Sequence, residues 1–260
     1  MPDWLVVIIL GIIEGITEFL PVSSTGHLLL AEHWLPRQSQ LFNVIIQCAA
    51  VVAVLPLFRG RLQQLVFKWS DPATRDYFTK LLVAFAITGC GGLILKKMKF
   101  ELPKEITPVA LALLVGGVCF LLVERWLRAR PMTDHVTWAV ALAVGLGQLI
   151  AIVFPGASRS GTTIVLALLL GLSRPAATEF SFLVSIPTML AAGGLELAKA
   201  GRAGGTQENW PLLVLATVVS AAISFAAVKW LLRFVQTHTF VGFGWYRIVL
   251  GAVLLLLVRK

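Results

Sequence analysis

The stretch Glu14-Gly15-Ile16-Thr17-Glu18-Phe19-Leu20-Pro21-Val22-Ser23-Ser24-Thr25-Gly26-His27 cuts across an apolar run that begins at Trp4. The run 4–19 is short of the roughly 20 residues that a helix needs to cross a bilayer. A second short apolar piece follows at 28–35. An apolar segment, a polar break led by proline and another short apolar segment form the pattern of a re-entrant hairpin. Irregular backbone of that kind is tolerated at membrane depth only where it is buried in protein or lines a wet cavity. The pattern recurs. Residues 138–154 end at Pro155-Gly156-Ala157-Ser158-Arg159-Ser160-Gly161-Thr162-Thr163, and a short apolar piece follows at 164–172.

The two hairpins read as copies of each other. A shift of 134 places Gly11 on Gly145, Glu14 on Gln148 and Pro21 on Pro155, and one extra residue in the second loop then sets Gly26 opposite Gly161. Full-length apolar runs lie at 41–58, 77–95, 106–124, 177–198, 211–233 and 243–258, with Pro187 expected to bend the fourth. Three of these runs separate the hairpins. An odd number of crossings brings the hairpins in from opposite faces, so the repeat is inverted and points to a site near the middle of the membrane. The expected fold is all-α: a polytopic membrane protein with about six transmembrane helices and two re-entrant helical hairpins in an inverted repeat. Residues 1–260 form one integral membrane domain. The first repeat covers about 1–130 with its hairpin at 4–35, and the second covers about 136–260 with its hairpin at 138–172.

Composition agrees with this reading. Of the 260 residues 58% are hydrophobic and 13% charged, and the mean hydropathy is +0.87. Soluble domains average about 25% charged residues, and a chain this apolar exposes too much oily surface for water. A soluble enzyme, a disordered chain and a nucleic-acid-binding domain are excluded. The net charge of +9 comes from 22 basic and 13 acidic residues scattered between apolar blocks, as in loops and helix ends near anionic lipid. Lys and Arg assigned to alternate faces divide equally. Arg59, Arg61, Lys68, Arg75, Arg125, Arg128, Arg130, Arg174 and Arg233 stand against Arg37, Lys96, Lys97, Lys99, Lys104, Lys199, Arg202, Arg259 and Lys260, so charge does not orient the chain. Cys48, Cys90 and Cys119 lie in apolar stretches without metal-ligand spacing and are expected to be buried packing residues. The start has no basic region, and Glu14 and Glu18 break its apolar run, so it is not expected to be a removable signal peptide.

The polar breaks carry the chemistry. Glu14 and Glu18 are four apart on an apolar helix, so both carboxylates leave one face. An acid at membrane depth costs about 2.5–3.5 kcal/mol on insertion scales. Solvated acids in the headgroup region are the plain alternative. Function is favoured because the same face runs into the serine-rich turn, where neighbouring carboxylates can hold a divalent cation or share a proton. Ser23, Ser24 and Thr25 supply hydroxyls, and Gly26 suits a tight turn. Ser24 or Thr25 also suits an N-cap, but one cap needs one hydroxyl. His27, within a turn of acids and serines, suits an acid–base role. Arg159 between apolar helices needs an anion. Its planar fork fits phosphate, and a salt bridge to Glu14 or Glu18 satisfies it in the unliganded state. The set suits phosphoryl transfer from a lipid-borne phosphate better than ion transport alone.

Residues 14–27 resemble the first signature of the undecaprenyl-diphosphate phosphatase family, also called bacitracin-resistance proteins, and residues 155–163 resemble its second. Phe180-Ser181-Phe182-Leu183-Val184-Ser185-Ile186-Pro187 and Tyr246-Arg247-Ile248-Val249-Leu250-Gly251 are similar to lesser stretches of the family. The resemblance covers essentially the whole chain. It implies a multi-pass enzyme of the bacterial inner membrane that hydrolyses undecaprenyl diphosphate to undecaprenyl phosphate and inorganic phosphate. That reaction recycles the carrier for peptidoglycan and removes the target of bacitracin. It implies a divalent cation, Mg2+ or Ca2+, a lipid substrate and a site open to the outer face; a homodimer is compatible with it. Residues and resemblance together assign Glu14 and Glu18 to the cation and Glu18 also to activating the nucleophile. Ser24 is the nucleophile, and His27 assists proton transfer or stabilises charge. Ser23 and Thr25 orient phosphate. Arg159 holds the diphosphate with Ser158, Ser160 and Thr163. Direct attack by water activated by Glu18 or His27 stays open.

The competing class is a lipid-phosphate flippase, alone or alongside hydrolysis, because inverted broken helices are transporter hardware. The phosphatidic-acid-phosphatase type, with its Ser-Arg-x5-His signature, is rejected. No histidine follows Ser158-Arg159 until His238.

Overall fold

The computed structural model describes residues 1–98, 105–128, 130–202 and 208–258. The charged stretches 96–105 and 199–210 between apolar runs lie partly outside these residues, and Lys99, Lys104, Arg259 and Lys260 lie outside them.

The described chain is helical, as a bilayer requires of a backbone that must satisfy its own hydrogen bonds. The elements are α1 (Asp3–Thr17), α2 (Ser24–Ala31), α3 (Gln40–Val54), a short 3-10 turn (Leu55–Phe58), α4 (Arg59–Phe67), α5 (Pro72–Lys97), α6 (Ile106–Leu127), α7 (Trp138–Val153), α8 (Arg159–Leu169), α9 (Arg174–Arg202), α10 (Trp210–Thr237) and α11 (Val241–Val258). Among the described residues five stretches are long and apolar enough to cross a membrane: Gln40–Phe67, Pro72–Lys97, Ile106–Leu127, Arg174–Gly201 and Trp210–Thr237. The sixth expected span, α11, is 18 residues long, about 27 Å at 1.5 Å per residue. Beyond the first full-length apolar run, which ends at residue 58, the chain continues from α3 through the 3-10 turn into α4. Helix α9 runs unbroken through Pro187.

Polar caps start the spans where the apolar runs begin. Ser39 Oγ accepts from the Phe42 amide at 2.9 Å, an Asp71 carboxylate oxygen from Ala73 at 3.1 Å, and Thr137 Oγ1 from Val140 at 3.3 Å. Small residues then bring backbones close, which substitutes for the hydrophobic drive that lipid cannot supply. A Cβ on Gly11 would stand 2.9 Å from the Ala216 carbonyl, and one on Gly15 would stand 2.7 Å from that of Ser220. Ser220 Oγ donates to the Ile46 carbonyl at 3.0 Å and Ser224 Oγ to that of Ala50 at 3.3 Å. On the other side, Thr88 Oγ1 donates to the Gly145 carbonyl at 3.1 Å.

These contacts set the helix directions. Gly11 and Gly15 of α1 meet Ala216 and Ser220 of α10, and Ile46 and Ala50 of α3 meet Ser220 and Ser224, so α1, α3 and α10 run parallel from one face. Lys80 of α5 reaches the Val136 carbonyl while Thr88 reaches Gly145, so α5 and α7 run parallel from the other face. Each hairpin returns toward its own face, and the two tips meet inside the bundle. Much of the outer surface is apolar, with Leu82, Val115, Leu122, Val218 and Leu256 exposed to lipid. Cys90 is exposed there too, and Cys48 and Cys119 are only partly covered. Burial does not follow from lying in an apolar run, because a membrane helix turns one apolar face to protein and another to lipid.

Candidate active site

Both hairpin tips are built the same way. Ser23 has φ 72° and Ser158 φ 66°, and these are the two non-glycine residues with left-handed backbone among the described residues. Each serine caps the helix that follows: Ser23 Oγ accepts from the Gly26 amide at 3.3 Å, and Ser158 Oγ from the Gly161 amide at 3.1 Å. Helices α2 and α8 therefore begin at Ser24 and Arg159, earlier than the expected apolar pieces at 28–35 and 164–172. The hydroxyl-rich residues are first-turn residues of helices rather than loop. Two helix N-termini, each with positive partial charge and first-turn amides free of helical acceptors, face the same interior space.

The turn expected at Gly26 is made by Ser23 instead. Gly26 is needed for packing, since a Cβ there would stand 2.9 Å from Leu113 Cδ1. Gly156 does carry a turn, with φ 93° and the Val109 carbonyl 2.5 Å from where its Cβ would be.

The tips meet at Glu18, which is buried. One of its oxygens accepts from Ser24 Oγ at 2.9 Å and the other pairs with Arg159, so the expected ion pair forms with the second of the two acids. Glu14, also buried, faces Glu18, Arg159 and the Gln47 amide, and its Oε2 has no partner among the described residues. A cavity of about 180 Å3 opens beside this group, lined by Glu18, Ser24, Thr25, Gln47, Gln148 and Arg159 among others. A larger cavity of about 800 Å3 shares Ser24, Thr25 and Gln47 with it. That cavity has apolar walls at Leu28, Leu29, Val109 and Ile152, and a polar mouth at Glu32, Arg37 and Gln38 near the start of α3.

Four expected substrate ligands also make bonds that build the tips. Ser23 and Ser158 serve as caps, and both also line the smaller cavity. Ser160 Oγ donates to the Leu20 carbonyl at 3.2 Å, which ties one tip to the other. Thr163 is fully buried, and its Oγ1 donates to its own helix at Arg159 and Ser160. His27 turns away from Ser24. Its Nδ1 donates to the Ser23 carbonyl at 2.8 Å, and its Nε2 is 2.6 Å from Tyr246 Oη on the wall of a lipid-side apolar groove. A carbonyl only accepts, so the proton sits on Nδ1 and the ring braces the strained Ser23 turn.

Arg247 had no assigned role at the level of sequence. It is 0% exposed, and among the described residues no carboxylate pairs with it. Its guanidinium donates to the carbonyls of Pro21 at 3.3 Å, Gly156 at 3.3 Å and Ala157 at 2.9 Å, and to Ala112 on α6 at 3.3 Å. It pins both tips from behind. A charged residue inside an otherwise apolar span was the available signal for it.

A helical membrane protein with two opposed hairpins that close a hydroxyl, a carboxylate and a guanidinium around one cavity belongs with the membrane-embedded enzymes. Residues 7–253 match the family described as bacitracin resistance protein BacA. The chain belongs to that family. Its relatives include proteins named undecaprenyl-diphosphatase from Rhizobium etli (51% identical over 255 residues, 97% of this chain and 96% of the relative) and Xanthomonas euvesicatoria pv. vesicatoria (49% over 258 residues, 98% and 97%). Another, from Xylella fastidiosa, is 50% identical over 252 residues, 95% of this chain and 96% of the relative.

Proposed function

We propose that this enzyme hydrolyses undecaprenyl diphosphate to undecaprenyl phosphate and inorganic phosphate in the bacterial inner membrane, recycling the carrier lipid for peptidoglycan synthesis and so conferring bacitracin resistance. One observation carries the reading: Ser24 Oγ donates to Glu18 at 2.9 Å while Arg159 holds the other oxygen of that carboxylate. Hydroxyl, base and anion-binding fork thus share one cavity. The names of the relatives and the joined cavities, polar at the tips and apolar along the approach, support it.

Ser24 Oγ attacks the terminal phosphorus as Glu18 takes its proton. The Oγ–P bond forms, the bridging P–O bond breaks, and undecaprenyl phosphate leaves. Water then attacks the phosphoserine, releasing inorganic phosphate and returning the proton to Ser24. Arg159 moves from Glu18 to the diphosphate, where its fork binds two oxygens. Thr25 and the first-turn amides of α2 and α8 receive the remaining charge. His27 and Ser23 position the turn.

A divalent cation, Mg2+ or Ca2+, fits the donor set. Glu14 and Glu18 supply two carboxylates, and Glu14 Oε2 is a buried oxygen without a partner. Among the described residues no group of three His, Cys, Asp or Glu gathers, so these two carboxylates are the acidic residues that would hold the ion. Held there, a cation would offset the negative charge of the diphosphate.

Phosphate release by the purified protein in detergent tests the proposal. A lipid flippase, which the opposed hairpins favour as a second reading, releases none by itself.

A further inference from the structure

Gln148 of α7 is wholly buried and contributes to the wall of the smaller cavity with Glu18, Ser24 and Arg159. Its Oε1 lies 2.9 Å from Thr188 Oγ1, whose one proton is shared between this oxygen and the Ser185 carbonyl at 2.7 Å, and its Nε2 has no partner among the described residues. Folded proteins rarely keep a buried amide donor idle, because its lost water is not replaced. A ligand acceptor in the cavity resolves the deficit.

The inverted repeat shows what kind of ligand. Gln148 stands 134 residues after Glu14, and Arg159 stands 135 after Ser24, the difference being the one extra loop residue. Both Ser24 and Arg159 bond to Glu18, and both Glu14 and Gln148 keep one unpartnered buried atom. The equivalent positions line two neighbouring cavities: Ser24, Arg159 and Gln148 the smaller, Glu14 and Ser24 the larger. The first repeat fills them with an acid and a hydroxyl. The second fills them with an amide, whose oxygen is already taken, and a guanidinium, so its side presents donors alone. A diphosphate presents acceptor oxygens to them.

We propose that Gln148 is a substrate ligand, its Nε2 donating to a non-bridging oxygen of the diphosphate beside Arg159. Thr188 is the positioning residue that turns the amide this way. This deepens the phosphatase reading and rests on it.

The test uses the full chain purified in detergent, with farnesyl diphosphate for turnover and inorganic diphosphate for thermal shift. Gln148→Met keeps the volume and removes the amide. The expected result is a KM raised about tenfold or more, the order of one lost hydrogen bond to a charged group. The melting temperature without ligand should hold or rise, and the upshift with inorganic diphosphate should shrink. A purely structural glutamine predicts the reverse: a lower melting temperature with KM unmoved. Thr188→Val should raise KM by less and lower the melting temperature, because it leaves Gln148 Oε1 buried without its partner, and its KM and diphosphate upshift carry the test if Gln148→Met does not fold. Wild-type KM and thermal upshift in Gln148→Met overturn the proposal. So does wild-type diphosphate affinity in Gln148→Glu, which would mean that the oxygen faces the ligand. If the wild-type protein releases no phosphate while its diphosphate upshift still depends on Gln148, hydrolysis fails and the ligand assignment stands.

Discussion

The hydroxyls at the two tips differ in what they are free to do. Ser23 and Ser158 cap helices, Ser160 bonds the opposite tip, and Thr163 bonds its own helix. Ser24 alone of them donates to a carboxylate. Ser24→Ala is expected to lower kcat by about a thousandfold or more, as losses of nucleophiles do, with binding of inorganic diphosphate retained; near-normal phosphate release would move the chemistry to a water. Arg159→Lys keeps the charge but loses the fork. It should reduce kcat/KM about tenfold or more at roughly 1.5–3 kcal/mol per charged hydrogen bond, measured by steady-state phosphate release. Arg247→Met strands tip carbonyls in the interior, at about 1–3 kcal/mol each. It should lower the melting temperature as well as activity, whereas Arg247→Lys should recover part of both.

At the scale of the element, the two tips store strain for a purpose. A left-handed L-residue costs roughly 1–2 kcal/mol, and serine is kept at both positions because its Oγ caps the next helix. Glycine removes the strain and weakens the cap by a few tenths of a kcal/mol, while alanine keeps the strain and loses about 1 kcal/mol of cap. The order of melting temperatures at residue 23, and again at 158, should therefore place the glycine variant above the alanine variant. The reverse order would mean that the turn is not strained. Helix contacts work on equally small margins. Gly15→Ala pushes a methyl against the Ser220 carbonyl and should destabilise by about 1–3 kcal/mol through overpacking, read by thermal unfolding.

At the scale of the whole molecule, helix direction decides which side the site opens to. The mouth at Glu32, Arg37 and Gln38 lies on the face where α3 starts. For the site open to the outer face that the family resemblance implies, a cysteine at Asn43 in a background lacking Cys48, Cys90 and Cys119 should react with an impermeant maleimide on intact cells. One at Gln63 of α4 should react only after permeabilisation. The opposite pattern would place the site on the cytoplasmic face. Chelation should abolish phosphate release, with Mg2+ or Ca2+ restoring it, because two carboxylates beside a diphosphate concentrate negative charge. Full activity in excess chelator would remove the cation from the proposal.

The sequence alone determined the two interrupted hairpins, the three crossings between them and the residues of both tips. Those signals are local: run length against bilayer thickness, proline and serine clusters, and the cost of an acid or arginine in lipid. Tertiary structure decided which side chain does what. Ser23 and not Ser24 became the cap, His27 turned to Tyr246, Thr163 closed on its own helix, and Arg247 crossed from α11 to both tips. Thr163 bonds carbonyls within one turn of its own helix, but the other outcomes depend on where a partner more than a hundred residues away, or a strained backbone angle, places the nearest acceptor, and no spacing within one segment records that. Gln148 shows the limit most plainly. Its alignment with Glu14 is legible in the sequence, but its idle amide is visible only once Thr188 has taken the other end.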